Sequence, residues 1–135
     1  MTGYVGNIED LTGKNTYFRQ VVHTAAHMQL VLMALKPNEE IGMEVHPDND
    51  QFFRFEMGEG KVIIDGEEHV VSDGYAVVVP AGSQHNVINT STTQPLKFYT
   101  IYAPAHHPDG TVHKTKQEAL EAEEIRGPLV VFTSS

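Results

Sequence analysis

The sequence predicts an all-β fold, a sandwich or barrel, followed by one short C-terminal helix. Three observations predict it: short apolar or alternating segments recur at close spacing, glycine-containing turns separate them, and one segment near the C-terminus has helix-capping residues. Many short strands with regular turn signals are typical of sandwiches and barrels. With 135 residues and no linker, low-complexity segment or internal repeat, the chain (1–135) is expected to form a single domain.

The first strands are predicted after a polar lead-in. The first fifteen residues contain polar residues and glycine, so we expect an irregular arm over about 1–15 and a barrel over about 16–104. Strands are predicted over Tyr17–Thr24 and Gln29–Lys36, the second rich in Val, Leu and Met. The segment Lys36-Pro37-Asn38-Glu39-Glu40 is typical of a turn.

The next segments alternate between turns and short strands. Glu44–His46 is predicted to be extended, Pro47–Asp50 to be a turn, and Gln51–Glu56 to be a strand with Phe53 and Phe55 on one face. Gly58-Glu59-Gly60 is expected to break that run. A hairpin follows, because Lys61–Ile64 and Glu67–Val71 flank Asp65-Gly66, a pair suited to positive φ. Further strands are predicted over Tyr75–Val79, Asn86–Asn89 and Leu96–Tyr102.

The C-terminal segment, about 105–127, is predicted to be a loop and a helix. Thr115-Lys116-Gln117-Glu118 has the pattern of a capping box, in which the Thr hydroxyl and the Glu carboxylate accept hydrogen bonds from exposed N–H groups. Ala119–Arg126 continues the helix, and Gly127-Pro128 is expected to end it. Its acidic residues, Glu118, Glu121, Glu123 and Glu124, are interpreted as a solvent-facing surface.

Composition excludes several classes of partner and site. Nine Lys and Arg against eighteen Asp and Glu give a formal net charge of -9, which argues against nucleic acid and anionic membranes as partners. A small anionic substrate remains compatible with this charge, because a bound cation can reverse the local field. The absence of cysteine excludes disulfides, iron–sulfur clusters and thiolate zinc sites.

The sequence does not have the pattern expected of a signal peptide or of a membrane span. The N-terminus lacks the basic region and apolar run of a signal peptide, and the longest apolar stretch, Ala76–Pro80, is far too short to span a membrane. We therefore expect a cytoplasmic protein.

Four side chains have the types and spacing of a metal site. Glu44 and His46 are two residues apart, so on a strand they point to the same side of the sheet. Gln51 can re-enter the same interior after the intervening turn, and His85 follows a Pro80-Ala81-Gly82 turn that can direct an imidazole inwards. Each has a simpler interpretation: a lone His is usually exposed or hydrogen-bonded, a Pro-x-Gly turn is often only structural, and Glu44 can face solvent.

A family resemblance strengthens the metal interpretation. Gly74 to Asn89 consists of a glycine, five residues, Pro-x-Gly, two residues, His85, three residues and an asparagine. This resembles the second sequence motif of the cupin superfamily at every defined position. The first cupin motif has a glycine, His-x-His, a glutamate and a closing glycine.

The first cupin motif matches in spacing but not in every residue. Asn38 stands at the opening glycine, Glu44 at the first histidine, His46 at the second, Gln51 at the glutamate and Gly58 at the closing glycine. Asn tolerates the left-handed backbone better than most residues. The chain also resembles a bacterial single-domain subgroup with the pattern Glu-Val-His-Pro…Asp-Gln-Phe-Phe-Arg.

The resemblance implies a double-stranded β-helix, the jelly-roll barrel of cupins, with one divalent metal held by Glu44, His46, Gln51 and His85. The usual set of three His and one Glu carries one negative charge, and this set also carries one. Two nitrogens and two oxygens favour Mn²⁺ or Fe²⁺, with Zn²⁺, Ni²⁺ or Co²⁺ able to compete. Gln51 is either a direct ligand or a hydrogen-bond donor to a bound water.

The remaining histidines and aromatic residues receive other predictions. The cluster His106, His107 and His113 is either a second metal site or a surface loop, which by the resemblance covers the barrel mouth. Tyr75 is assigned to the core or to a pocket, and Arg54 is expected to face away from the interior. His23, His27 and His69 are predicted in strands as structural or exposed residues. Phe53, Phe55, Tyr99 and Tyr102 are predicted to fill the barrel.

The predicted function is that of a metal-dependent cupin acting on a small oxygenated metabolite, such as a keto acid, diol or sugar. The resemblance implies an oxidoreductase, decarboxylase or isomerase, with the metal as Lewis acid and Glu44 available as a base if it is not committed to the metal. The alternatives are a non-catalytic module that binds a small ligand or a structural metal, and a barrel that has lost its metal. By analogy we expect a homodimer formed through Tyr17–Lys36.

Overall fold

The computed structural model describes residues 2–126, and the elements follow the chain in regular succession. Two helices, α1 (Ile8–Lys14) and α2 (Lys116–Arg126), flank ten strands. The strands are β1 (Arg19–Thr24), β2 (Gln29–Leu35), β3 (Glu44–Val45), β4 (Asp50–Met57), β5 (Glu59–Ile64), β6 (Glu67–Ser72), β7 (Ala76–Val79), β8 (Gln84–Asn89), β9 (Leu96–Ala103) and β10 (Val112–His113).

The strands form two antiparallel sheets, as the all-β jelly-roll prediction requires. The first sheet has six strands in the order β10-β1-β2-β9-β4-β7, and the second has four in the order β3-β8-β5-β6. The core lies where alternating apolar residues of both sheets meet, with Phe53, Phe55 and Phe98 from the first sheet and Val62 and Val87 from the second all 0% exposed. This two-sheet fold confirms the predicted class.

The N-terminal arm differs from its prediction. Residues 1–15 were expected to be irregular, but Ile8–Lys14 forms α1. Asn7 caps this helix, since its side-chain oxygen accepts a hydrogen bond from the Asp10 N–H at 3.0 Å, and Lys14 pairs with Asp10 one turn later. Ile8–Lys14 is only seven residues long and contains a glycine, so its own sequence gives a weak helix signal. The capping residue Asn7 is the feature of the sequence that indicates this helix.

Several strand boundaries also differ from their predictions: β1 begins at Arg19 rather than Tyr17, and β8 at Gln84 rather than Asn86. The expected break at Gly58–Gly60 narrows to Gly58, whose φ is +97°, while β5 already begins at Glu59. β10 lies within the predicted C-terminal loop and pairs with β1 over two residues, too few to give a sequence pattern. His27 lies in the turn between β1 and β2 rather than in a strand. The Asp65-Gly66 hairpin turn is confirmed, with φ of 49° and 83°.

Two tyrosines lie outside the core. Strand alternation in β9 directs Phe98 and Tyr102 inwards, so Tyr99 points outwards, where its ring centroid lies 6.2 Å from that of Phe52. The prediction that Tyr99 fills the barrel is therefore wrong. Tyr75 is 52% exposed, which excludes the core, one of the two locations predicted for it.

Helix α2 begins at the predicted capping residues. The Glu118 N–H donates to the Thr115 hydroxyl at 3.1 Å, and the Glu118 carboxylate accepts from the Lys114 N–H at 2.9 Å, one residue before the expected donor. Ala119 is 4% exposed and joins the hydrophobic core. The predicted stop at Gly127-Pro128 lies outside the described residues.

No helix in residues 2–126 combines the length and the apolar character needed to cross a membrane.

Candidate metal centre

The centre of the site is a direct cross-strand pair. Glu44 on β3 lies opposite His85 on β8 in the four-stranded sheet, and His46 follows two residues after Glu44. One ligand atom from each of these three residues lies within 4.8 Å of the other two. Glu44 Oε1 is 3.6 Å from His46 Nε2 and 3.8 Å from His85 Nε2. All three side chains are buried, so the structure brings together three of the four residues that the sequence singled out.

Backbone contacts hold the two sequence motifs in register. The Gly82 N–H, in the turn of the second motif, donates to the carbonyl oxygen of His46 in the first motif at 3.0 Å. His85 Nδ1 lies 3.1 Å from the carbonyl oxygen of Ser83. A carbonyl can only accept, so His85 carries its proton on Nδ1 and presents the lone pair of Nε2 towards Glu44. This is the tautomer that a metal-binding histidine uses.

Gln51 approaches from the opposite sheet. It lies on β4, paired with Tyr102 of β9, and its Nε2 donates to the Thr100 hydroxyl at 2.9 Å. That bond orients the amide so that Oε1 is left for another partner. Tyr102, the cross-strand partner of Gln51, also contacts His46, since their ring centroids lie 5.6 Å apart.

The unpartnered polar atoms of this region test whether a metal fits. Within the described part of the chain, Glu44 Oε2, Gln51 Oε1 and His85 Nε2 are buried without a hydrogen-bond partner. Buried polar atoms in proteins are almost always hydrogen-bonded, so these unpartnered acceptor atoms require an explanation. A cation held between Glu44 and His85 satisfies the atoms of both residues at once, and oxygen and imidazole nitrogen are suitable donors for Mn²⁺, Fe²⁺ or Zn²⁺. These residues therefore fit a divalent metal.

Electrostatics favour the protonation states that bind metal. Burial alone raises the pKa of Glu44, but the hydrogen bond and charge of His46, with the charges of Arg19 and His85, lower it to about 2. Burial lowers the pKa of His85 below its ordinary value, and Glu44 only partly offsets this effect. At neutral pH the site thus contains a carboxylate and a neutral His85.

The loop between β9 and β10, which contains His106 and His107 and is called the roof loop below, packs against His46 and Tyr102 of the site. The ring of His106 lies 4.3 Å from the ring of His46, and the Nε2 of His107 lies 3.3 Å from the hydroxyl of Tyr102. Gln29 holds this loop in place, since its side-chain oxygen accepts from the N–H groups of His106 and His107. The loop covers this part of the barrel, as the sequence resemblance implied.

The three histidines of the predicted cluster lie on two elements, His106 and His107 on the roof loop and His113 on β10. His107 is 6% exposed, which contradicts the surface-loop interpretation for that residue, and its burial follows from the hydrogen bonds to Gln29 and Tyr102. His113 lies apart on β10, where its Nδ1 contacts Arg19. The rings of His106 and His107 lie 4.7 Å apart, but among the described residues the three histidines do not bring their ligand atoms together as Glu44, His46 and His85 do, so the second-metal-site alternative gains no support.

Sequence reasoning missed one charged residue of the site. Arg19 is 3% exposed, and its charge acts on both Glu44 and Tyr102. Strand alternation is the signal that could have found it, because Arg19 shares a face of β1 with the buried Val21. An arginine at an inward position of a predicted strand is an informative exception to that pattern.

Comparisons with known proteins agree with this architecture. The chain is 49% identical to an uncharacterized protein of Acanthamoeba polyphaga mimivirus over 113 residues, 81% of this chain and 70% of the relative. It is also 49% identical to the uncharacterized protein YrkC of Bacillus subtilis over 127 residues, 90% of this chain and 68% of the relative.

Among solved structures, BH2720 from Bacillus halodurans is similar with a TM-score of 0.86 and 45% identity, covering 89% of this chain and 95% of that one. TT1209 from Thermus thermophilus is similar with a TM-score of 0.64 and 26% identity, covering 74% and 96%. The cupin domain profile matches residues 31–102, more than half of the chain, so the protein belongs to the cupin domain family.

Proposed function

We propose that this cupin binds one divalent metal through Glu44, His46, Gln51 and His85 and acts on a small oxygenated metabolite. The observation that carries the proposal is the trio of buried acceptor atoms without partners, Glu44 Oε2, Gln51 Oε1 and His85 Nε2, in the part of the chain that the structure describes. Leaving such atoms unsatisfied costs about 1–3 kcal/mol each, so a ligand that satisfies them together is strongly favoured.

The donor set favours Mn²⁺ or Fe²⁺ as the native ion. Two imidazoles, one carboxylate and one amide oxygen provide no soft sulfur ligand, and Zn²⁺, Ni²⁺ or Co²⁺ compete at such a site. When bound, the metal supplies Lewis acidity that polarises a carbonyl or hydroxyl group of the substrate. Four protein ligands leave one or two positions of an octahedral shell for water or substrate.

The protein's own residues orient the ligands and restrict water. The Ser83 carbonyl fixes the ring of His85, and the Thr100 hydroxyl fixes the amide of Gln51. Burial, followed by the charge of Glu44, raises the pKa of Tyr102, so its hydroxyl keeps its proton at neutral pH and can donate a hydrogen bond. With substrate bound, Tyr102 is a neutral donor beside the site. Oxidoreductase, decarboxylase and isomerase chemistry are all compatible with this arrangement.

The depth of the site favours a second candidate function. Glu44, His46, Gln51 and His85 are each between 1% and 3% exposed, which is typical of structural metal sites as well as of occluded active sites. The alternative is therefore a cupin that binds a metal or a small ligand without turnover. Assays of the metal-loaded protein with keto acids, diols and sugars separate the two functions.

Metal content is the direct test of the proposal. Protein purified without added metal is analysed by inductively coupled plasma mass spectrometry, alongside Glu44→Ala and His85→Ala. We expect near-stoichiometric metal in the wild type and at least a tenfold lower metal content in both variants, because each variant removes one ligand. Loss of a residue that only supports a ligand already lowers metal affinity about 10–100-fold. Circular dichroism establishes that the variants fold.

The chain offers a matched control. Glu67 and His69 have the same spacing on a strand but are exposed, so Glu67→Ala and His69→Ala should retain the wild-type metal content. Equal metal content in the wild type, the site variants and these controls would remove the proposed centre.

We also expect a homodimer, and the open edge of the larger sheet supports it. β10 pairs with Arg19 and Gln20, and the Val21 N–H donates to the Thr111 carbonyl oxygen at 2.9 Å. The outer edge of residues 22–24 therefore has no neighbouring strand among residues 2–126. An open edge favours association with another strand. Light scattering after size-exclusion chromatography tests this expectation, which a monomeric mass contradicts.

A further inference from the structure

Basic residues gather around one cavity, although the chain as a whole is acidic. The sequence has nine Lys and Arg and a formal net charge of -9. Four of those nine line a cavity of about 280 Å³: Lys36, Lys97, Lys114 and Lys116. The carboxylate of Glu39 also lines it, so four positive charges and one negative charge leave about +3 at the cavity. The local charge is therefore opposite in sign to that of the whole protein.

The cavity lies at the end of β2 and β9 that is remote from the candidate metal centre. At one end of this strand pair, Gln29 is opposite Tyr102, which also pairs with Gln51 of the centre. At the other end, Leu35 is opposite Leu96, and Leu35 lines the cavity. Leu35 follows Gln29 by six positions along β2, which corresponds to roughly 20 Å at about 3.4 Å per residue. No residue of the proposed metal set lines the cavity.

The wall of the cavity contains apolar side chains. Phe18, Ala34 and Leu35 are buried residues that line it, together with Pro37 and Pro95. An apolar cavity of about 150 Å³ is large enough to bind benzene, so this cavity has room for one ring with a small branched substituent. Contact with this apolar surface favours a ligand that has a hydrophobic part.

The lysine charges are not neutralised by the carboxylates of the protein. Lys36 and Lys116 take part in no ion pair within residues 2–126. The Oε1 of Glu39 accepts a hydrogen bond from the backbone N–H of Lys36 at 3.1 Å. The Nζ of Lys97 donates to the carbonyl oxygen of Gly13, an uncharged acceptor, at 2.7 Å. Because an ammonium group is a compact point charge on a flexible stem, this cluster selects for negative charge rather than for one anion geometry.

We propose that this cavity is a second ligand site, separate from the metal centre, that binds a small amphipathic carboxylate. The aromatic or branched aliphatic part of the ligand contacts the apolar wall, and its carboxylate lies among the lysine ammonium groups, whose apolar stems extend along the same wall. A neutral molecule of the same shape lacks the attraction to the lysines. A carboxylate without an apolar part lacks the contact with the wall.

The test compares 4-isopropylbenzoate with 4-isopropylbenzamide, its uncharged counterpart of the same shape. Each is titrated at low ionic strength into full-length, isotope-labelled protein supplied with Zn²⁺, a diamagnetic ion, and amide resonances are followed by NMR. We expect the resonances of Leu35, Lys36 and Lys116 to shift, with those of Glu44 and His85 as the reference for the metal centre. The benzoate should bind about tenfold more tightly than the amide, because several partly exposed charges act together.

Two further titrations separate the contributions of charge and apolar contact. Acetate, which has the carboxylate alone, should bind at least about tenfold more weakly than the benzoate, because it buries almost no apolar surface. Sodium chloride at about 0.5 M should reduce the affinity for the benzoate towards that for the amide, since salt screens charges that remain in contact with solvent.

Variants assign the preference to this cavity. Lys36→Met/Lys116→Met removes two charges but keeps two long side chains, so affinity for the benzoate should fall about tenfold and affinity for the amide should stay unchanged. Glu39→Gln keeps an acceptor for the Lys36 N–H but removes the opposing charge, so it should bind the benzoate about two- to threefold more tightly. Lys61→Met is the control, because Lys61 pairs with Glu68 in the other sheet and should not affect binding.

The wild-type titrations decide the outcome even if a variant does not fold. Equal affinities for the benzoate and the amide overturn the proposal, as does the absence of shifts around the cavity. Shifts confined to the neighbourhood of Glu44 and His85 place the carboxylate at the metal centre and overturn it as well. A folded Lys36→Met/Lys116→Met that keeps the wild-type preference has the same consequence. The proposed metal centre is tested by metal content, so either site can fail without the other.

Discussion

The same Glu-x-His spacing occurs at both edges of the four-stranded sheet, with different consequences. Glu44 lies on β3, at one edge of the sheet, and His46 follows directly after that strand. Both side chains are 2% exposed. Glu67 and His69 lie on β6, at the other edge, with side chains 76% and 45% exposed. Their nearest oxygen–nitrogen distances are similar, 3.6 Å in the first pair and 3.0 Å in the second.

The contrast shows that spacing determines the face of a strand but not what covers it. Glu67 and His69 share the face of β6 with Val71, which is buried, and yet both remain exposed. At β3, His85 stands directly opposite Glu44, and the loop that contains His106 covers His46. The exposed pair is screened by water and contributes at most about 1 kcal/mol. The buried pair lies in a low-dielectric region, where buried oxygen and nitrogen atoms without hydrogen-bond partners favour the binding of a metal ion.

The largest expected difference between the two pairs is in stabilisation by metal. Saturating Mn²⁺ at about 100 times its dissociation constant should stabilise the wild type by about 2.7 kcal/mol, because the ion binds only the folded state. Glu44→Ala/His46→Ala should lose this gain entirely, whereas Glu67→Ala/His69→Ala should keep it. Differential scanning fluorimetry with and without Mn²⁺ measures the effect, and a loss of the shift in the exposed pair would refute the distinction.

Much of this site was predictable because its determinants are local. The spacing of Glu44, His46 and Gln51 and the turn before His85 identify four inward-facing donors within two short motifs. Asn38 at a motif glycine has φ of 64°, as expected for a residue that tolerates left-handed backbone. Strand alternation also assigned Phe53 and Phe55 to the core.

The remainder depends on contacts between distant parts of the chain. Gln29 is 77 residues from His106 in sequence, and no local pattern predicts that its amide holds the roof loop. Glu44 is buried because other parts of the chain cover its face of the strand, whereas the face that contains Glu67 is left exposed. Strand alternation alone does not distinguish these two residues. Tyr99 and Tyr102 were both predicted to face inwards, but residues three apart point to opposite faces of a regular strand, and the burial of Phe98 and Tyr102 determines which face of β9 is inside.

A second difference concerns acid stability. The folded-state pKa of Glu44, about 2, lies below its ordinary value of 4.5, so its contribution to stability is present above pH 4.5 and is lost as the pH falls towards 2. The shift corresponds to about 3 kcal/mol. Urea unfolding in the presence of a chelator should show that loss in the wild type and in Glu67→Gln, but a smaller loss in Glu44→Gln. Identical pH profiles for the two variants would contradict the contrast.

The smallest expected effect extends the comparison to buried and exposed histidines. Burial, followed by the charge of Arg19, lowers the pKa of His107 in the folded protein well below 6.5. As the pH falls, His107 therefore becomes protonated in the unfolded chain before it does so in the folded protein. Its contribution to the free energy of unfolding is constant above pH 6.5 and decreases below it by about 1.4 kcal/mol per pH unit. His107→Phe, which keeps a ring beside Tyr102, should reduce this slope between pH 6.5 and 5.5 in chelator-treated protein.

His69→Phe is the control for that measurement, because His69 is exposed and pairs with the nearby Glu67. It should leave the slope close to that of the wild type. His85 is also buried with a lowered pKa, so some slope must persist in His107→Phe, and its remaining value measures the contribution of the site itself. If both substitutions change the slope equally, burial of His107 beneath the roof loop does not govern its protonation, and the contrast between covered and uncovered faces fails for histidine.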